Sequence, residues 1–195
     1  MMTTFFSSPV ARAAGILVLT ATASLSAHAD QKLIPAQSEV GFVIKQMGVP
    51  VEGRFKKFDA QIALDPAKPE TGKIAFTIDI ASATMGSPEP DAELPKATWF
   101  NVPQFPQATF QSSAIKALGA GKFEVTGKLS IKGLARDVVV PVTLVQNGAT
   151  TMATGALPLK RLAFKIGENE WADTSMVADD VQVKFKLALT GVGKL

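Results

Sequence analysis

Apolar and polar residues alternate with a period of two through most of this chain, which limits it to folds made of strands with one dry face. Val40, Phe42 and Ile44 alternate with Glu39, Gly41, Val43 and Lys45, and Phe58, Ala60, Ile62 and Leu64 do so across Asp59, Gln61 and Ala63. The pattern returns at Ile74 to Ile80, Ala108 to Ser112, Phe123 to Ile131, Val138 to Leu144, Gly155 to Ile166 and Val181 to Leu189. Turn signals separate the runs: Met47-Gly48-Val49-Pro50, Asp65-Pro66 to Gly72, Gly119-Ala120-Gly121, Lys132-Gly133 and Asn147-Gly148. The reading is eight strands, at 38–47, 50–65, 72–83, 106–116, 121–132, 136–146, 150–166 and 178–190.

Most connections are too short for a parallel crossover, so neighbouring strands are expected to pair antiparallel. Eight such strands with one consistent dry face predict an all-β fold, an eight-stranded antiparallel up-and-down barrel, rather than a sandwich. The exception lies between Pro88 and Pro106, where Asp91-Ala92-Glu93-Leu94 leads to Trp99-Phe100 and Asn101. This predicts one short helix near 91–101, with Asp91 as N-cap, in a connection long enough to lie across a barrel mouth as plug or lid.

Composition removes most chemistry. The chain has no Cys, no Tyr and one His, His28. Residues 1–29 read as an export signal: Arg12, an apolar run from Ala13 to Ala23 and the small-x-small site Ala27-His28-Ala29. That run is too short to span a bilayer, which takes about 20 residues. Cleavage after Ala29 leaves one domain, 30–195, exported to the periplasm and without His. A Ser-His-Asp or Cys-His triad then cannot be built, and imidazole- or thiolate-bound metals have no ligands. No cofactor, metal site or catalytic residue is expected, and no integral membrane span remains after cleavage. Twenty Lys+Arg against 17 Asp+Glu give a formal charge of only +3, too little to suggest a nucleic-acid partner. Alternating strands also describe outer-membrane barrels, but those carry aromatic girdles, and here Trp99 and Trp171 both fall outside the strands.

The weaker chemical signals are local. Ser113-Ala114-Ile115-Lys116 matches S-x-x-K without the companion motifs of penicillin-recognising enzymes. Glu89, Asp91 and Glu93, or Glu168, Glu170 and Asp173, are carboxylate groups of the kind a hydrolase or a weak Ca²⁺ site uses, in segments where carboxylates are ordinarily just solvated.

An eight-stranded barrel is either filled by its own side chains or holds one small ligand. Its inward row is read as Phe42, Ile44, Phe55, Ile62, Phe76, Ile78, Phe110, Val125, Leu129, Val140, Leu144, Phe164, Phe185 and Leu187. Gly53, Ala60, Gly127 and Gly155 interrupt that row. They either leave room for a slender chain or mark the kinks that coil a strand. An apolar tunnel suits a prenyl or acyl chain: about sixteen buried carbons are worth about 13 kcal/mol before association costs. Arg54, Lys56 and Lys57 form the densest basic cluster, with Lys160, Arg161 and Lys165 second. Arg54, Lys56 and Arg161 are candidate contacts for an anionic head group, or members of solvated strand faces.

Six segments in order resemble the YceI-like family: Ser38-Glu39-Val40-Gly41-Phe42; Gly48 with Val51-Glu52-Gly53-Arg54-Phe55; Ile78-Asp79-Ile80-Ala81-Ser82; Asp91-Ala92-Glu93-Leu94 through Trp99-Phe100; Phe105-Pro106-Gln107-Ala108-Thr109-Phe110; and Val125 through Gly133. The resemblance spans nearly the whole exported chain. It implies a lipocalin-like barrel, exported, that binds a polyisoprenoid (quinone-type or prenyl) or another long-chain lipid, and no enzyme activity. Relatives often carry His where this chain has Gln37 and Gln46. Two other readings stand beside the carrier: a filled barrel acting as an interaction or stress protein, and an exported hydrolase using Ser, Lys or carboxylate. The oligomeric state is open, a dimer included.

Overall fold

Each hairpin forms where a glycine-containing turn breaks the alternation. Met47-Gly48, Ala120-Gly121 and Lys132-Gly133 all hold both central residues at positive φ, between 48° and 81°. That is the twist of type I′ turns, which match the right-handed twist of the strands they join.

The computed structural model describes Met1 and residues 31–195; the expected export signal, apart from Met1, and Asp30 lie outside the described residues. The strands are β1 (Lys32–Leu33), β2 (Glu39–Gln46), β3 (Val49–Phe55), β4 (Phe58–Ala63), β5 (Lys73–Asp79) and β6 (Ala83–Thr84). After helix α1 (Pro88–Glu93) come β7 (Gln107–Gly119), β8 (Lys122–Ile131), β9 (Leu134–Asn147), β10 (Thr150–Lys160) and β11 (Val177–Thr190). They form one antiparallel sheet, ordered β4-β5-β7-β8-β9-β10-β11-β2-β3-β6, with β1 beside β11. The all-β, lipocalin-like architecture is thus present. No helix among the described residues is long and apolar enough to cross a membrane.

The sheet has eleven strands rather than eight because the alternation slips phase in places. Phe55 and Phe58 both turn inward, three residues apart, with Lys56 and Lys57 exposed between them, so the strand expected over 50–65 kinks into β3 and β4. The run expected over 72–83 stops at Asp79, whose carboxylate accepts from Ala81 N–H and starts a 3-10 turn before β6. The strand expected over 150–166 ends at Lys160, because Leu157 and Leu159 are odd-numbered and Leu162 and Phe164 even. Arg161–Phe164 is a 3-10 turn closed by Lys165 in the left-handed region, φ 55°. The helix also sits earlier than 91–101: it spans Pro88–Glu93 behind Ser87. Asp91 caps nothing and instead accepts from the Thr84 hydroxyl and Met85 N–H.

The sheet curls into a barrel that its backbone ladder does not close. At the base, β1 lies against β4 and the gap is bridged by one side chain. Gln31 Nε2 donates to Leu64 O at 2.6 Å, and Leu64 N–H donates to Gln31 Oε1 at 2.9 Å, so the primary amide imitates a strand residue. Toward the rim the sheet splits. β9 and β10 pair from Asn147/Thr150 only to Val142/Gly155, whereas β9 stays on β8 to Leu134 and β10 on β11 to Lys160. Proline has no N–H to give a ladder and is confined to strand edges; Pro141 stands one residue past the last paired step and Pro158 in the stretch of β10 that β9 leaves unpaired.

Candidate functional site

The inward faces enclose two apolar chambers, one above the other. The lower, of about 160 Å³, lies between Val40, Leu64, Phe123, Leu144 and Leu189 and has only aliphatic and aromatic walls. The upper, of about 130 Å³, reaches from Phe42 and Ile44 to the rim segments, where Met85, Leu94, Trp99, Phe100, Phe164 and Ile166 roof it. Ile78, Leu129, Leu157 and Val183 belong to both walls and form a waist.

Every residue read as the inward row lines a chamber. Phe42, Ile44, Phe55 and Phe164 are in the upper wall, Ile62, Phe76, Phe110, Val125, Val140, Leu144, Phe185 and Leu187 in the lower, and Ile78 and Leu129 at the waist. The expected tunnel is two compartments that share four wall residues at the waist. Each chamber is close in size to an apolar cavity of about 150 Å³ that accommodates one benzene ring.

Glycines do not leave the room they suggest. A Cβ on Gly53 would lie 2.2 Å from the Phe42 ring, and one on Gly155 2.3 Å from the Phe185 ring. Cross-strand phenylalanines therefore lie flat over the glycines, and their close approach, rather than a void, is what the missing side chain permits.

The expected basic contacts fall elsewhere. Arg54 and Lys56 are exposed on the outer face, in a cleft with Lys57, Pro35 and Ser38 that shares only Phe55 with the upper chamber. Arg161 reaches the upper chamber wall but is 2% exposed and spends all five N–H bonds on backbone carbonyls. Nε donates to Ala178 O at 3.0 Å, Nη1 to Ile166 O and Gly167 O at 2.9 and 2.8 Å, and Nη2 to Trp171 O and Val177 O at 2.6 and 2.7 Å. Burial lowers its pKa, opposed by the nearby Asp179 carboxylate. Arg161 is thus the hub that folds 161–178 over the rim, and it has no donor left for a head group, contrary to the expectation from sequence.

A second buried cation holds the roof down. Lys132 Nζ donates to Ala97 O at 2.8 Å, Lys165 O at 2.6 Å and Glu168 Oε2 at 3.0 Å, so the β8–β9 turn is tied to both rim segments. Gly167 and Glu168 N–H groups donate to Thr98 O, and Trp99 packs on Trp171 with ring centroids 5.5 Å apart. The 85–106 segment is therefore a fastened roof. The carboxylates weighed for hydrolysis serve this scaffold too: Asp91 binds Thr84 and Met85, Glu168 binds Lys132, and Asp173 binds Ser175.

Sequence reasoning missed the waist residues Leu157 and Val183 and the roof residues Met85 and Ile166. Leu157 and Val183 sit in phase with neighbours already on the inward row, so the period-two rule extends to them. Met85 lies in an irregular segment with no period to read, and Ile166 closes a run whose phase slips after Lys160.

The YceI-like domain matches this chain over residues 31–189. A UPF0312 protein of Photorhabdus laumondii is 32% identical over 161 residues, covering 78% of this chain and 83% of its own length. The crystal structure of BcnA from Burkholderia cenocepacia superposes with a TM-score of 0.78 at 52% identity, covering 80% of this chain and 99% of that one. The Campylobacter jejuni YCEI protein gives 0.64 at 25% identity, over 71% and 83% of the two chains. A polyisoprenoid binding domain from Saccharophagus degradans, implicated in plant cell wall breakdown, gives 0.66 at 16% identity over 84% and 99%, a likeness of fold alone.

Proposed function

Because the chain belongs to the YceI-like family over residues 31–189, we propose that it is an exported, periplasmic carrier that holds a long-chain lipid, a polyisoprenoid foremost, in its two apolar chambers. The observation that carries this reading is a hollow interior whose lower half has no polar wall group at all. Apolar surface of that kind is stabilised by apolar cargo and by nothing that water supplies. A polyisoprenoid-binding domain of the same fold gives the ligand class a precedent.

The chamber sizes set the scale. Together they take about a dozen carbon atoms, worth about 10 kcal/mol gross before ordering and association costs. A longer chain must run past the waist residues from one chamber to the other or leave the rim. Binding then needs no charged contact and no covalent step, and the protein acts by shielding cargo from water.

Native mass spectrometry of protein purified from its own exported compartment, with solvent extraction of any companion molecule, tests this. A stoichiometric prenyl or acyl compound is expected. Empty protein that also takes up neither prenyl quinones nor fatty acids refutes the carrier and favours a stress or interaction protein. Leu187→Glu, which buries a carboxylate in the lower chamber, should abolish uptake, and Lys184→Glu on the exposed face should not.

A further inference from the structure

The outer wall carries a concentration of charge that the chambers do not use. Antiparallel pairing puts Lys184 of β11 opposite Gly41 of β2, and Gly41 opposite Arg54 of β3. One row nearer the base, Lys186 stands opposite Glu39, and Lys56 and Lys57 follow at the elbow between β3 and β4. All six charged side chains of this face are exposed. Five cations thus share about 10 Å of three neighbouring strands with one carboxylate, Glu39, an excess larger than the +3 of the whole chain. None of the five forms an ion pair among the described residues. The carboxylates at the margins are Glu52 on β3, Asp59 on β4 and Asp91, whose oxygens already accept from Thr84 and Met85. The elbow is pinned in place: Lys56 N–H donates to Ser82 O at 3.2 Å, Lys57 N–H to Ser82 Oγ at 2.9 Å, and Asp79 N–H to Lys57 O at 3.0 Å. Apolar walls adjoin the cations on both sides. The cleft of about 620 Å³ beside Arg54, Lys56 and Lys57 includes Pro35, Phe55 and Phe58. A trough of about 560 Å³ has Lys122 and Lys184 in its walls together with Leu118, Pro141 and Ala156.

We propose that this face docks the protein onto an anionic phospholipid bilayer, with lipid phosphates at the five cations and interfacial hydrocarbon against the adjoining apolar walls. The inference goes beyond the carrier reading: it says where the protein meets a membrane, whatever the chambers hold. A bilayer presents many phosphates in one plane, so the cations act together, each contributing about fivefold to partitioning. Single-stranded nucleic acid needs rings on which bases stack, and among the described residues no aromatic side chain is exposed. An acidic polypeptide gives the cations partners but brings no hydrocarbon to the apolar walls.

Flotation of the purified exported protein with vesicles of phosphatidylcholine alone, or of equal parts phosphatidylcholine and phosphatidylglycerol, tests this. Binding is expected only with phosphatidylglycerol and should weaken as salt rises. The triple variant Arg54→Gln, Lys56→Gln, Lys57→Gln should lose about a hundredfold in affinity. Lys68→Gln, Lys73→Gln, Lys116→Gln removes the same charge from exposed sites elsewhere and should lose less than about fivefold. Lys184→Glu separates the two properties: it keeps uptake of dispersed lipid and weakens vesicle binding. On the unaltered chain, acetylation read by mass spectrometry should fall at Lys56, Lys57, Lys184 and Lys186 when phosphatidylglycerol vesicles are added, and stay constant at Lys68, Lys73 and Lys116. No binding to phosphatidylglycerol, equal losses in the two triple variants, or uniform protection of all these lysines overturns the inference. So does displacement of the vesicles by millimolar inorganic phosphate, or polyglutamate binding as tightly as they do, since either makes the face a general anion site. Each of these outcomes leaves the carrier reading to the uptake test above.

Discussion

Replacing Arg161 by Met keeps an unbranched apolar stem of similar length and deletes every donor of the rim hub. Five carbonyls lose their partner. Those of Trp171 and Ala178 are partly exposed and can recruit water, but those of Ile166, Gly167 and Val177 are in buried bonds. Each unmade buried acceptor costs about 1–3 kcal/mol, hence about 3–9 kcal/mol gross. Against this, the variant no longer buries a guanidinium, whose desolvation is worth several kcal/mol. The net expectation is a loss of about 3–5 kcal/mol, in the range found when one partner of a buried charged network is removed. Urea unfolding followed by tryptophan fluorescence gives the midpoint and slope separately, and the slope should stay constant. A loss below about 1 kcal/mol would show that water already reaches these carbonyls and refute the hub. Arg161→Lys, with one nitrogen in place of three, should recover only part of the loss; full recovery would mean that the planar fork is irrelevant.

The roof and the acid range give two further expectations. Lys132→Met removes a nearly buried ammonium that holds Ala97, Lys165 and Glu168; it should cost about 1–3 kcal/mol and raise hydrogen exchange over 94–104 and 165–170, and unchanged protection there would refute the fastening. Asp91 is held below its ordinary 3.8 by the Thr84 hydroxyl first and the Met85 N–H second. A depressed folded pKa contributes stability above the unfolded value, lost as pH falls through the folded one, so Asp91→Asn should flatten the drop in Tm on strong acidification, and an identical acid profile would refute the assignment.

The inward row was legible because a strand's period of two is unambiguous wherever one face is dry: Phe42, Phe76, Val125 and Leu187 are placed by counting alone. The phase slips at Phe55/Phe58 and Leu159/Leu162 are in the sequence as well, but a run of apolar residues invites the eye to carry on through them. Asp91 was misjudged because an acidic residue ahead of a helix-forming run resembles an N-cap, and only the fold brings Thr84 to it. Arg161 is expected to meet a head group or to lie on a solvated strand face and does neither, because its five carbonyl partners come together only in the fold. Gln31 leaves no local trace, because its bond to Leu64 depends on where β1 and β4 end.

The split between β9 and β10 gives the barrel unequal compliance. Widening the base means breaking ladder bonds or the Gln31 clasp, whereas widening the upper half beyond Val142 and Gly155 breaks no bond between those two strands. The girth of the upper chamber is set there by side-chain contacts, by the Arg136 bond to Ala163 O and by the Lys132 bonds to Lys165 O and Glu168. For the carrier proposed above, this means that cargo of different thickness would be gripped by the same chain, in the manner of a collet whose slotted end flexes while its collar stays round.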